Sequence, residues 1–267
     1  MSILQAIMLG VLQGLTEFLP VSSSGHLALA ESFFAIDSPG VTFEVFVHFG
    51  TALAVIVYFR KRIAQVLRAV ALWALRRDHE REDARLGLML LVGTLPAAAV
   101  GVFVAESVER AFDNPVLVSA LLIVTGVVLW VTRYIPSGGN RRTGAGGALL
   151  IGLAQAAAVL PGISRSGATI SAALGLKLER SAAAEFAFLL SLPVILGATA
   201  MSVGDALAAG SEAGAATAVG TAAAFGSALP AIAVLMRVVS AGTFYRFAYY
   251  CWGAGLAALA VTVARLA

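Results

Sequence analysis

Six stretches of this chain, approximately 41–59, 86–105, 116–133, 182–203, 214–236 and 247–266, stay apolar for the roughly 20 residues a helix needs to cross a bilayer core of ~30 Å. No soluble fold hides that much apolar helix with so little charge. Only 12% of the 267 residues are charged, against about 25% in soluble domains. With 60% hydrophobic residues the chain is not disordered. A single cysteine, Cys251, excludes a disulfide scaffold. The apolar runs are long and do not alternate, so helices and not barrel strands must do the spanning. The expected fold is an all-α polytopic membrane protein, one membrane domain over residues 1–267.

Two further apolar regions, 1–36 and 146–175, are each broken midway. One is interrupted by Pro20-Val21-Ser22-Ser23-Ser24-Gly25, the other by Pro161-Gly162-Ile163-Ser164-Arg165-Ser166-Gly167. Each half is about 10–17 residues, the length of a re-entrant segment, and broken backbone at membrane depth must be buried in protein or line a wet cavity. The two regions also resemble each other. Leu9-Gly10-Val11-Leu12-Gln13 matches Ile151-Gly152-Leu153-Ala154-Gln155, and Val21-Ser22-Ser23-Ser24-Gly25 matches Ile163-Ser164-Arg165-Ser166-Gly167 at the same offset. Phe43-Glu44-Val45-Phe46 matches Ala184-Glu185-Phe186-Ala187 at an offset one shorter. Each broken region is followed by three spans. An odd number of spans per half inverts the second half, so the expectation is an inverted-topology repeat with halves at about 1–134 and 146–267.

The basic residues set orientation. Eight lie in 60–85; Arg133, Arg141, Arg142, Lys177, Arg180, Arg237 and Arg246 fall on the same side, making fifteen of eighteen. Arg110 and Arg265 take the other side, and Arg165 sits in a break. This places the basic face in the cytoplasm of a bacterial inner membrane and both termini outside. The first break then dips in from outside and the second from the cytoplasm, so their tips can meet. The stretch 60–85 reads as an amphipathic hairpin near anionic lipid. Residues 1–19 lack a basic leader and carry Glu17 where a cleavage site would fall, so they read as mature protein. The net charge of +3 comes without any nucleic-acid motif, and no nucleic-acid partner is expected.

Glu17, His26 and Arg165 are ionisable groups inside apolar regions, which are functional candidates by default. Gln13 and Glu17 share a helix face. A break that opens a new helix frees backbone N–H groups that attract anions. Ser22, Ser23, Ser24, Ser164, Ser166 and Thr169 add hydroxyls, Gly25 and Gly167 let the chain turn, and Arg165 suits bidentate phosphate contacts. Together they describe an anion pocket, for phosphate, beside one carboxylate and one imidazole. The plainer alternatives are that the serines cap helices, that Glu44 and Glu185 form structural pairs, that His48 makes a helix–helix hydrogen bond, and that Cys251 is a small core residue.

The runs Glu17–His26 and Pro161–Thr169 resemble the two signature motifs of the bacterial undecaprenyl-pyrophosphate phosphatases, integral-membrane enzymes linked to bacitracin resistance. The resemblance extends to Phe43–Arg60, Ala184–Thr199 and Phe244-Tyr245-Arg246-Phe247, nearly the whole chain. It implies hydrolysis of undecaprenyl pyrophosphate to the monophosphate carrier used for peptidoglycan. It also implies dependence on Mg2+ or Ca2+ and a fold of six spans and two re-entrant hairpins. By the same resemblance Glu17, Ser23, His26 and Arg165 are catalytic, and Ser22, Ser24, Ser164, Ser166, Gly167 and Thr169 bind phosphate. Glu17 either binds the metal or acts as base, and Gln13 can join it as a metal ligand. The family's motif often reads Glu-x-x-x-Glu where this chain has Gln13-x-x-x-Glu17, so Gln13 brings a carbonyl oxygen but no charge. Arg165 and helix-end N–H groups would hold the pyrophosphate. His26 either attacks phosphorus or moves a proton, and Ser23 is the other candidate nucleophile. The isoprenoid tail would lie among the spans. A transporter or flippase for a lipid phosphate, built on the same repeat, is the alternative; oligomeric state stays open, with a homodimer allowed.

Overall fold

The computed structural model describes residues 1–34, 40–103, 111–136, 138–208 and 211–266. Among these it is helical, without strands. The α-helices are α1 (Ile3–Phe18), α2 (Ser23–Phe34), α3 (Gly40–Tyr58), α4 (Arg60–Ala74), α5 (Arg81–Phe103), α6 (Pro115–Val131), α7 (Ala145–Ala157), α8 (Arg165–Gly175), α9 (Arg180–Ala208), α10 (Ser211–Ser240) and α11 (Phe247–Leu266). Helices α5, α6, α9, α10 and α11 are long and apolar enough to span a membrane. Helix α3 passes that test only jointly with α4, from which it is bent by 83° at Phe59.

The core is apolar, with Leu122, Leu129, Ile170, Leu190 and Ile232 fully buried, but it is not the only place where apolar side chains lie. Gln13, Gln155, Thr51 and Ser119 are buried, while Leu4, Met8, Leu95, Phe103 and Met201 are exposed. Apolar side chains facing outward and polar ones packed between helices are what a lipid solvent selects.

Close packing relies on small residues. Helix α1 lies along α10, with Gly10 against the Gly220 backbone and Gly14 against Ala224 and Ser227. Helix α7 lies along α5 in the same way, Gly152 meeting the Gly93 backbone. Helix α6 packs on α11, where Gly126 receives the Trp252 ring and Gly255 approaches the Ser119 carbonyl. Side chains at these glycines would push the helices apart.

The stretch 60–85 is not a hairpin. Its first part is the single helix α4, which buries Val66 and Ala69 against α5, and residues 81–85 already form the first turn of α5. Arg62 fastens α4 to the bundle, donating to Glu185 Oε1 at 2.7 Å and to Asp83 Oδ1 at 2.5 Å. Burial works against the Arg62 charge, yet these two carboxylates hold its guanidinium above the usual arginine range. Glu185 is therefore a structural partner. A cavity of about 310 Å³ at this end is lined by Arg62, Arg85, Arg141, Arg142, Glu82 and Glu185. Arg110 lies outside the described residues.

Candidate active site at the meeting of two helix breaks

Each break opens its second helix on a serine side-chain cap. Helix α1, opened by a Ser2 capping box, ends at Leu19, whose extended ψ of 139° precedes Pro20. Ser22 then caps α2: its Oγ accepts from Gly25 N at 3.3 Å and its carbonyl from His26 N at 3.1 Å. Ser164 caps α8 with Oγ accepting from Gly167 N at 3.1 Å. These two serines hold matching positions in the similar runs Val21–Gly25 and Ile163–Gly167. The next aligned pair, Ser23 and Arg165, are the first residues of α2 and α8.

The breaks touch. Gly162 N donates to Ser22 Oγ at 3.1 Å, and a Cβ on Gly25 would lie 3.0 Å from Gly162 Cα. Ser22 adopts φ 66° and Gly162 φ 99°. A serine in the left-handed region is uncommon, and here both its side chain and its carbonyl are engaged. The outer helices brace the breaks. Thr125 of α6 donates to the Gly162 carbonyl at 2.8 Å and accepts from Ser164 N at 3.1 Å, while Cys251 of α11 reaches the Pro20 carbonyl at 3.4 Å.

Glu17 is the centre of the polar cluster, and it is buried. Its Oε2 accepts from Ser23 Oγ at 2.5 Å and from Gln13 Nε2 at 2.9 Å, with His48 Nε2 at 3.5 Å. Its Oε1 accepts from Arg165 Nη1 at 3.2 Å. The aligned residues Ser23 and Arg165 thus converge on one carboxylate from opposite breaks. Arg165, Ser166, Thr169 and Ser191 line a narrow cleft beside Glu17, with Phe18 and Phe188 as its apolar wall.

Glu17, Ser23, Arg165 and Gln13 come together as the sequence suggests. His26 does not join them by hydrogen bond. Its Nδ1 bonds the Ser22 carbonyl at 2.8 Å and its Nε2 the Tyr250 hydroxyl at 2.9 Å. His48 stands beside Glu17 instead, its Nδ1 on the Glu44 carbonyl at 2.7 Å. Its hydrogen bond is thus within its own helix, not between helices, and across helices it makes only the 3.5 Å approach to the site's acid. Ser24 lies 3.4 Å from Ser22 Oγ, and Ser166 3.2 Å from Ser164 Oγ. Thr169 back-bonds to the Arg165 carbonyl at 2.7 Å. These hydroxyls cap and brace at the N-termini of α2 and α8.

One carboxylate and one amide carbonyl are donors of the kind a hard cation takes, with Gln13 turning its Nε2, not its Oε1, toward Glu17. Gln13 Oε1 is a buried carbonyl oxygen with no hydrogen-bond partner, one residue-turn from the Glu17 carboxylate. Among the described residues no three His, Cys, Asp or Glu side chains gather as a closed metal cage. Mg2+ needs no such cage, since it binds through one or two carboxylates plus substrate phosphate oxygens.

The fold and the cluster define a class, a polytopic helical membrane protein with an acid, a hydroxyl and a guanidinium held where two broken hairpins meet. The model of the family described as bacitracin resistance protein BacA matches residues 6–257. The chain belongs to that family. An undecaprenyl-diphosphatase of Desulforapulum autotrophicum is 42% identical over 267 residues, covering 96% of this chain and 97% of the relative. Proteins of the same name from Desulfosudis oleivorans and Geobacter sulfurreducens are 44% and 41% identical, covering 93% and 99% of this chain and 94% and 100% of theirs.

Proposed function

We propose that this chain hydrolyses undecaprenyl pyrophosphate to undecaprenyl phosphate and inorganic phosphate, returning the lipid carrier to cell-wall synthesis. The observation that carries the reading is the Ser23–Glu17–Arg165 cluster, a hydroxyl, its proton acceptor and a phosphate clamp within one contact chain. Family membership and relatives named undecaprenyl-diphosphatase support it. Transport alone has no use for such a cluster.

Arg165 exchanges Glu17 for the pyrophosphate, and the free N–H groups at the starts of α2 and α8 bind further oxygens. Ser23 is the nucleophile, because its proton already points at Glu17. Its Oγ forms a bond to the terminal phosphorus as the bridging P–O bond breaks, and undecaprenyl phosphate leaves. Water then bonds to the phosphorus of the phosphoserine as the bond to Ser23 Oγ breaks, and Glu17 returns its proton to that oxygen. His26 takes that water's proton, since its bonding pattern leaves Nε2 unprotonated. Glu17 and Gln13 would hold Mg2+ or Ca2+, which neutralises phosphate charge and so favours attack.

The basic face is assigned to the cytoplasm of a bacterial inner membrane, with both termini and the catalytic opening on the other side. Two inverted halves account for the like packing of α1 on α10 and α7 on α5. The substrate tail lies among the exposed apolar helix faces. The test is phosphate release from purified protein in detergent with undecaprenyl pyrophosphate and Mg2+; no release with either metal would overturn the reading.

A further inference from the structure

Tyr250 is a polar group that the reaction just described does not use. It lies on α11, half exposed, and its hydroxyl is 2.9 Å from His26 Nε2. The two rings are nearly parallel, 12° between planes with centroids 5.7 Å apart. The bond to the Ser22 carbonyl fixes the other end of the imidazole. A carbonyl only accepts, so the proton of a neutral ring is on Nδ1, and the Tyr250 hydroxyl must donate to the Nε2 lone pair. That lone pair is the one His26 needs to take a proton.

Tyr250 is itself firmly placed. Its neighbour Cys251 is buried and reaches the Pro20 carbonyl of the first break. Its neighbours Tyr249 and Trp252 close on Trp130 of α6 at centroid distances of 5.5 and 5.7 Å. The hydroxyl is held at the His26 edge by the packing of α6 and α11.

We propose that Tyr250 is a positioning residue for the phosphatase reaction: its hydroxyl holds His26 in one rotamer and one tautomer, with Nε2 presented as the proton acceptor. This rests on the role given to His26 above. Once the phosphoserine has formed, the hydroxyl yields Nε2 to the attacking water, and it returns after the phosphate has left.

Tyr250→Phe keeps the ring and removes only the hydroxyl. It lowers kcat about tenfold with KM changed by less than about twofold, as expected for losing one hydrogen bond that acts on the chemical step. In histidine-labelled protein the His26 Nε2 nitrogen signal, assigned by its loss in His26→Gln, shifts in the variant. The thermal midpoint stays that of the parent. An unchanged kcat in Tyr250→Phe, with His26→Gln inactive, overturns the role of Tyr250 alone. A kcat loss with a lowered midpoint and an unmoved nitrogen signal also overturns it, leaving Tyr250 a packing residue. Full activity in His26→Gln instead overturns the assignment of His26, and this inference with it.

Discussion

Arg165 and Glu17, 148 positions apart in sequence, meet through Nη1 and Oε1 at 3.2 Å. One begins the helix after the second break and the other ends the helix before the first. Neither hairpin holds a complete site. The pairing gives the buried Glu17 carboxylate a cationic partner, and a buried ionised acid without one is costly. When pyrophosphate takes the guanidinium, Glu17 becomes free to receive the Ser23 proton.

That sequence of events separates two steps. Ser23→Ala removes the nucleophile and lowers turnover by about a thousandfold or more. His26→Gln blocks the second step, so phosphoserine at position 23 accumulates. Intact-mass measurement after mixing with substrate reads the phosphorylated protein directly.

The proposed metal site turns on residue 13. Gln13 offers a neutral oxygen, and its Oε1 has no partner. Gln13→Glu adds a second carboxylate and lowers the Mg2+ concentration for half-maximal activity by about tenfold. A Mg2+ titration of phosphate release checks this.

The contact between breaks is sterically exacting. Gly162 combines φ 99° with a position where a Cβ would meet the Val118 carbonyl. Gly162→Ala therefore costs about 2 kcal/mol or more, from backbone strain and clash. A lowered thermal midpoint in detergent, accompanied by loss of activity, is the expected result.

Arg62 tests the peripheral helix. Its side chain is 31% exposed, and it pairs with both Asp83 and Glu185. Arg62→Met leaves Glu185 without that partner and costs about 1 kcal/mol after allowing for solvent screening. The midpoint drops by a few degrees while kcat stays near that of the parent.

Much of this was legible in the sequence. The spans appear because lipid demands long apolar helices, and the observed α5, α6, α9, α10 and α11 lie close to the expected stretches. The breaks announce themselves through Pro20 and Pro161 followed by serine and glycine. Arg165 stood out because charge is scarce in apolar surroundings. His48 and Tyr250 were harder. His48, four residues after Glu44, suggests a helix–helix hydrogen bond with no partner named; its approach to Glu17 depends on how α3 packs on α1. Tyr250 sits in an aromatic-rich stretch that reads as a membrane-interface belt. Its meeting with His26, 224 positions away, is a product of the tertiary fold.

The most direct measurement is phosphate release by Arg165→Ala and Glu17→Gln, each purified in detergent and assayed with undecaprenyl pyrophosphate and Mg2+. Both variants should elute and melt as folded protein and lose about a thousandfold or more of the turnover, the scale expected when a phosphate clamp or a base is removed. Parent-like turnover in folded Arg165→Ala would contradict a site shared between the two breaks.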